Sequence, residues 1–87
     1  MRLDKFLKLS RLIKRRTVAK DVSDQGRVEI NGKEAKASSS VKVGDEITVR
    51  YGNKLVTVRV DILHESPRKE QSIEMYTVIK EQSIASE

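Results

Sequence analysis

The 87 residues of the chain suffice for one small domain, since domains usually hold roughly 100–200 residues. Hydrophobic residues make up 37% and charged residues 36%, and no run approaches the roughly 18 consecutive apolar residues of a membrane-spanning helix. Cysteine is absent and His64 is the single histidine, which excludes a disulfide framework and the usual Cys/His zinc site. We therefore expect a non-membrane protein without metal or cofactor, stabilised by packing alone.

The N-terminal segment indicates a cytoplasmic protein of a bacterium or an organelle. Charges are scattered through the first twenty residues. A secretory signal would need an apolar run of about seven to fifteen residues at this place.

The net charge of +5 is concentrated at the N-terminus. Residues 1–20 hold eight bases and one acid, Asp4, whereas residues 21–87 hold ten bases and twelve acids. The eight bases are Arg2, Lys5, Lys8, Arg11, Lys14, Arg15, Arg16 and Lys20. Such a local positive field attracts a polyanion, above all a nucleic acid. A basic face kept for solubility and an amphipathic helix on an anionic membrane are the alternatives.

Two short helices are predicted in the basic segment. Leu3, Phe6 and Leu7 have the i, i+3, i+4 spacing of one helix face. After a bend over residues 11–16, Thr17 is a candidate N-cap for a second helix, and Val18, Ala19 and Val22 form its expected apolar face. Gly26 stands where a left-handed C-terminal residue belongs.

A small, mostly antiparallel sheet is predicted after the helices. Asn31-Gly32 is a strong hairpin signal, and the runs 47–50 and 55–62 have strand patterns. Gly44-Asp45 predicts a turn. The expected fold class is α+β, with two short N-terminal helices packed on this sheet.

We expect residues 1–63 to form an RNA-binding domain, followed by a less regular segment. Residues 64–72 are polar and contain the one proline, which suggests a mobile loop. The apolar run 75–79 fits a strand or a helix turn, and the tail beyond Lys80 is expected to fray.

The composition and the placement of the charges favour one mode of nucleic-acid binding over others. Phe6, Tyr51 and Tyr76 are the only aromatic residues, too few for a platform that stacks unpaired bases. Helix-turn-helix binding to DNA is the more serious rival, but the bases cluster on the first helix and the bend, and the second helix, with Lys20 beside Asp21 and Asp24, has little positive surface. Phosphate contact with a folded RNA is therefore favoured.

An ordered series of residues carries a family resemblance. Arg2-Leu3-Asp4-Lys5, the Arg11–Arg16 stretch, Gly26-Arg27-Val28, Asn31-Gly32 and Gly44-Asp45 closely resemble the S-four-type RNA-binding domain, or α-L motif, over about residues 2–50. Ala19, Lys36, Ser38 and Val41 continue the pattern. In its length, the run of residues 11–17 and the later Met75-Tyr76, the chain resembles the ribosome-associated heat-shock protein family, and within it the short RqcP (YabO) type of bacterial quality-control factor.

The resemblance implies a function and partners. Such factors bind the split large ribosomal subunit and contact its rRNA. They stabilise peptidyl-tRNA in the P site while an RqcH/NEMF-type tailing factor on the same subunit directs C-terminal alanine tailing of the stalled chain. We further expect a monomer without cofactor. A ribosome-independent DNA- or mRNA-binding regulator is the alternative, and a pure protein adaptor is a third hypothesis.

The resemblance also assigns candidate RNA-binding residues. Arg2, Arg11 and Arg16 match arginine positions of the family's RNA surface, where a guanidinium can hold a phosphate with two hydrogen bonds. Lys5, Lys8, Lys14 and Arg15 are expected to supply diffuse attraction, and Lys36 and Ser38 a further phosphate contact; solvated side chains are the alternative.

Asp4 is expected to form an internal ion pair with Arg16 or Arg15. For Arg2, pairing with Asp4 is the alternative to RNA contact. No catalytic constellation is recognisable, so the chain is predicted not to be an enzyme.

Overall fold

The computed structural model describes residues 1–83. Two helices come first, five strands follow, and one further helical turn lies between the last two strands. In chain order the elements are α1 (Leu3–Leu9), α2 (Arg16–Asp24), β1 (Val28–Ile30), β2 (Lys33–Glu34), β3 (Glu46–Tyr51), β4 (Lys54–Val60), α3 (Lys69–Ser72) and β5 (Tyr76–Ser83). No helix among these residues is both long and apolar enough to cross a bilayer.

The five strands form one sheet in the order β2-β1-β3-β4-β5. Every neighbouring pair is antiparallel. The predicted α+β class, with two short helices and a small antiparallel sheet, is confirmed.

The first helix forms as its apolar spacing predicts. Leu3, Phe6 and Leu7 are fully buried, since the i, i+3, i+4 spacing places them on one face. They belong to a core cluster that also contains Ala19 of α2 and the inward residues Val28, Ile47, Val49, Val56, Val58 and Val60 of the sheet.

The start and the buried face of α2 differ from the prediction. The helix begins at Arg16, because the carbonyl of Arg15 already accepts the hydrogen bond from the Ala19 N–H; the predicted Thr17 N-cap is therefore wrong. Val18 is 43% exposed, whereas Ser23, one turn after Ala19, is buried. The Ser23 hydroxyl donates to the Ala19 carbonyl at 2.7 Å, which satisfies this polar side chain inside the core.

The tight turns form where the sequence places them. Asn31 and Gly32 have φ values of 52° and 83°, the left-handed pair that a type I′ hairpin requires, and they connect β1 to β2. Gly26 follows α2 with φ 79°, which confirms the predicted helix end.

The C-terminal segment is more regular than expected. The polar loop contains α3. Ser72 of this helix is buried, and so is Met75, which follows it. Of the ambiguous run 75–79, residues 76–79 become part of β5, which pairs with β4 as far as Ser83, three residues past the expected onset of fraying. The remainder of the tail, residues 84–87, lies outside the described residues. The domain boundary at residue 63 stays a prediction.

Candidate nucleic-acid interface

The carboxylate of Asp4 joins two arginines of the basic N-terminal segment, residues 1–20. It sits in the first turn of α1, and its side chain is 3% exposed. Arg2 donates to it twice, from Nε at 3.1 Å and from Nη2 at 3.3 Å. Nη2 of Arg16, at the start of α2, is 3.5 Å away. Asp4 therefore holds two arginines, one just before α1 and one at the start of α2. The pair with Arg16 confirms the predicted clamp. The pair with Arg2 is the alternative expected for that residue.

The electrostatics of this cluster keep Asp4 ionised. Burial opposes ionisation, but the hydrogen bond from Arg2 and the charges of Arg16 and Arg2 outweigh it and hold the pKa of Asp4 below its usual value of 3.8. The side chains of Arg2 and Arg16 are each 50% exposed. Their guanidiniums are thus anchored on one side and open to an anion on the other.

The remaining bases of the segment extend this surface along α1 and the bend. Lys5, Lys8, Leu9 and Arg16 line one depression, and Lys8, Arg11 and Lys14 line a second. Because Lys8 belongs to both, the depressions adjoin. We call the seven predicted bases the basic cluster: Arg2, Lys5, Lys8, Arg11, Lys14, Arg15 and Arg16. Lys5 also forms an ion pair with Glu65, so its charge is partly compensated.

The bend that carries Arg11, Lys14 and Arg15 has a defined shape. The Ile13 N–H donates to the Leu7 carbonyl at 3.0 Å, and Ile13 is buried. Tyr51 at the end of β3 donates its hydroxyl proton to the Leu12 carbonyl at 2.7 Å. Burial raises the pKa of Tyr51 to about 12, so this phenol remains a donor at neutral pH. The bend is therefore tied to the sheet.

Arg11 occupies an unusual backbone conformation within this bend. Its φ is 65°, a left-handed value that glycine adopts most easily and other residues adopt at a cost. It follows the last residues of α1, where helices commonly end on a left-handed glycine. An arginine at this position has a less favourable backbone conformation than a glycine would have, but it adds a positive charge to the basic cluster.

Lys36 and Ser38 lie on an exposed loop next to the Asp4 end of the cluster. The Leu3 N–H donates to the Ser39 carbonyl at 2.8 Å, and the Asp4 N–H donates to the Ala37 carbonyl at 3.2 Å. The loop is also fixed to the end of α2, because the Ala37 N–H donates to Asp24 Oδ1 at 3.0 Å. That hydrogen bond is the main cause of the lowered pKa of Asp24. RNA contact by Lys36 and Ser38 stays a prediction.

Sequence reasoning missed two residues that shape this surface. Tyr51 contacts a residue 39 positions away, and Glu65 one that is 60 positions away. Neither contact has a local sequence signal. The lone position of Asp4 among eight bases was the signal that identified the clamp.

The chemistry available to the surface is anion binding. Within residues 1–83, no group of three or more His, Asp or Glu side chains is placed to hold a metal ion. The surface presents guanidinium and ammonium donors. Asp4 holds the guanidiniums of Arg2 and Arg16 in place. These groups suit phosphate oxygens, and arginine can bind two of them at once.

Comparison with known proteins places the chain in a family. Residues 1–47 match the S4 domain. The chain is 64% identical to the RQC P-site tRNA stabilizing factor of Bacillus subtilis, over 97% of this chain and 98% of that protein. It is 51% identical to the factor of the same name from Streptococcus pneumoniae, over 97% and 96%.

A solved structure supports the same assignment. The fold resembles heat shock protein 15 of Vibrio cholerae, described as trimeric, with a TM-score of 0.84 and 32% identity over 91% of this chain and 81% of that one. The predicted resemblance to the ribosome-associated heat-shock family and its short branch is confirmed. The chain belongs to the S4-domain proteins and, among them, to the family of RQC P-site tRNA stabilizing factors.

Proposed function

We propose that this chain is an RNA-binding factor of bacterial ribosome-associated quality control. It binds the split large ribosomal subunit, contacts its rRNA and stabilises peptidyl-tRNA in the P site during C-terminal alanine tailing of the stalled chain. The observation that carries the proposal is the Asp4 clamp on Arg2 and Arg16 in a chain of this family.

The mechanism follows from the basic cluster. Asp4 restricts Arg2 and Arg16, so less side-chain freedom is lost when they bind phosphates. Lys8 beside Arg16, and Arg11 and Lys14 in the adjoining depression, extend the positive surface and attract the RNA backbone over a longer range. Two RNAs that are held by one rigid domain keep a fixed relative position.

The chain acts in this proposal without a chemical step. By favouring the P-site position of the tRNA it shifts a population of tRNA states, and the tailing factor adds the alanine residues. The chain is accordingly not an enzyme. It works in the cytoplasm, as a single copy, on the subunit that also carries the RqcH/NEMF-type factor.

Ultraviolet crosslinking of the full chain in bacterial cells tests the assignment of partners. The proposal predicts crosslinks concentrated in large-subunit rRNA and tRNA. Crosslinks scattered over messenger RNA or chromosomal DNA would instead support a ribosome-independent regulator and overturn the proposal.

Salt dependence tests the mode of binding. If about five phosphates are neutralised, the logarithm of the affinity for large subunits should fall with the logarithm of salt at a slope near −3.5 to −4.5, using about 0.7–0.9 per phosphate. An affinity that is indifferent to salt would indicate a protein adaptor. Light scattering at the assay concentration checks that one copy is the binding species.

A further inference from the structure

We propose that the face of the sheet opposite α1 and α2 carries a second RNA-backbone contact, formed by Arg27 and Arg50 with Lys80 beside them. This inference rests on the proposed function, because a factor that holds tRNA on rRNA must touch two RNAs. The basic cluster provides one contact surface. We assign the second contact to another surface of the domain.

Strand register places the two arginines next to each other. Val28 and Val49 are paired across β1 and β3 and are both buried in the core. Arg27 and Arg50 are one residue further along each strand, and the Arg50 N–H donates to the Arg27 carbonyl at 2.9 Å. Because side chains alternate between the faces of a sheet, both arginines point away from the core.

Further polar residues complete this surface. Arg27 and Arg50 line a depression together with Gly26, Glu29, Thr48 and Leu55. Lys80 pairs with Thr57 of β4, and Thr57 hydrogen-bonds Thr48, so Lys80 lies on the same face. Glu29 and its cross-strand partner Glu34 lie on the β2 side. Glu46 lies on the same face at the opposite end of β3 from Arg50, so the positive charge is concentrated at the end of the face that carries Arg27 and Arg50.

The charges of Arg27, Arg50 and Lys80 are not compensated by ion pairs among residues 1–83. Among residues 1–83, none of the three lies in an ion pair, whereas Arg59 on the same face pairs with Asp61 at 2.9 Å and Lys54 pairs with Glu81 at 3.5 Å. Like charges directly opposite each other destabilise a sheet. A phosphate between Arg27 and Arg50 would relieve this repulsion and receive donors from both guanidiniums.

The test uses the full chain with Arg27→Gln and Arg50→Gln, singly and together. The control is Arg68→Gln with Lys69→Gln, which removes the same two charges at α3, where Arg68 serves the helix start through its backbone groups. Affinity is measured on large subunits with and without P-site peptidyl-tRNA, at several salt concentrations. Thermal melting of every variant identifies the folded proteins, and the single variants provide data if the double variant melts early.

The double variant should bind about tenfold more weakly or worse, since two charge-assisted hydrogen bonds are lost. Its salt slope should become shallower by about 1.4–1.8. A loss confined to tRNA-loaded subunits identifies tRNA as the second RNA, and an equal loss on both kinds of subunit identifies rRNA. Affinity and slope equal to those of the control on both subunits would overturn this inference.

Failure of the proposed function has a different signature. In that case wild-type protein would bind tRNA-loaded and empty subunits equally and without dependence on Arg16. The second contact is judged separately, because a loss of affinity in the Arg27 and Arg50 variants relative to the control would still show that this face touches RNA.

Discussion

Nη2 of Arg16 lies 3.5 Å from Oδ1 of the buried Asp4, so the first turn of α2 is electrostatically fixed to the first turn of α1. The same carboxylate accepts two hydrogen bonds from Arg2. A single acid thereby sets the geometry of the surface to which we assign RNA binding. The positioning role of Asp4 can be separated from the effect of its negative charge. Loss of positioning should weaken RNA binding, whereas loss of the negative charge alone should strengthen it.

Asp4→Asn should weaken binding to large subunits, although it removes a negative charge from a surface that binds a polyanion. The loss of side-chain positioning should cost about 1 kcal/mol, or roughly fivefold in affinity. Asp21→Asn is the matched control, since Asp21 is exposed on α2, and it should bind as well as wild type or slightly better. Tighter binding by Asp4→Asn would show that Asp4 does not position the arginines.

The stability that Asp4 contributes should disappear at acid pH. Its pKa is lowered in the folded state by Arg2 and Arg16 against the effect of burial, so its contribution is present above the usual pKa of 3.8 and is lost as pH falls through the folded value. Asp24, Asp61 and Glu65 also have lowered pKa values. The informative quantity is therefore the melting-temperature difference between wild type and Asp4→Asn, which should shrink below about pH 4. A difference that is constant down to about pH 2 contradicts the ion-pair model.

Arg16→Glu, or Arg2→Ala together with Arg16→Ala, should abolish co-sedimentation with large subunits while the circular dichroism spectrum stays native. Both side chains are half exposed, so their loss removes no core packing. It leaves the buried Asp4 carboxylate without its cations, so the melting temperature should fall while the protein stays folded at the assay temperature. Lys69→Glu on α3 is the control with the same charge reversal as Arg16→Glu and should still sediment with subunits. A folded double-alanine variant that sediments like wild type would mean that the RNA surface has been placed wrongly.

Tyr51→Phe should loosen the bend without disturbing the core. The ring remains, but the Leu12 carbonyl loses its 2.7 Å hydrogen bond, at a cost of about 1 kcal/mol. Amide exchange of residues 11–15 should accelerate and affinity for large subunits should fall. Tyr76→Phe is the control, because the Tyr76 hydroxyl makes no hydrogen bond within residues 1–83. Equal exchange rates in the bend of both variants would show that Tyr51 does not restrain it.

Arg11→Gly should separate stability from binding. Glycine adopts the observed φ of 65° more readily, so the melting temperature should stay unchanged or rise, by the equivalent of up to about 1 kcal/mol. Affinity for large subunits should fall, since one cation of the basic cluster is lost. A variant that melts earlier and binds like wild type would assign Arg11 a structural role instead.

The sequence predicts those features that depend on local pattern. The spacing of Leu3, Phe6 and Leu7 determines α1 and its buried face, and Asn31-Gly32 determines the first hairpin. The Asp4 clamp was predictable because one acid stands among eight bases, and its partners lie within a dozen residues of it.

Features that depend on distant contacts were not predictable. Strand β5 is mostly exposed on both faces, so it lacks the alternation that marks a strand and is held by its hydrogen bonds to β4. The start of α2 is a local exception, because Thr17 satisfies the pattern of an N-cap, yet the Arg15 carbonyl starts the helix earlier. Tyr51 and Glu65 reach the basic segment only through the folded chain.

Electron cryomicroscopy of the native large subunit with P-site peptidyl-tRNA and this chain tests the central claim most directly. The account predicts that Arg2, Arg16 and the bend of residues 11–15 lie within hydrogen-bonding distance of RNA phosphates, with Asp4 still joining the two arginines. A complex in which this surface faces solvent while another part of the domain holds the RNA would contradict the account.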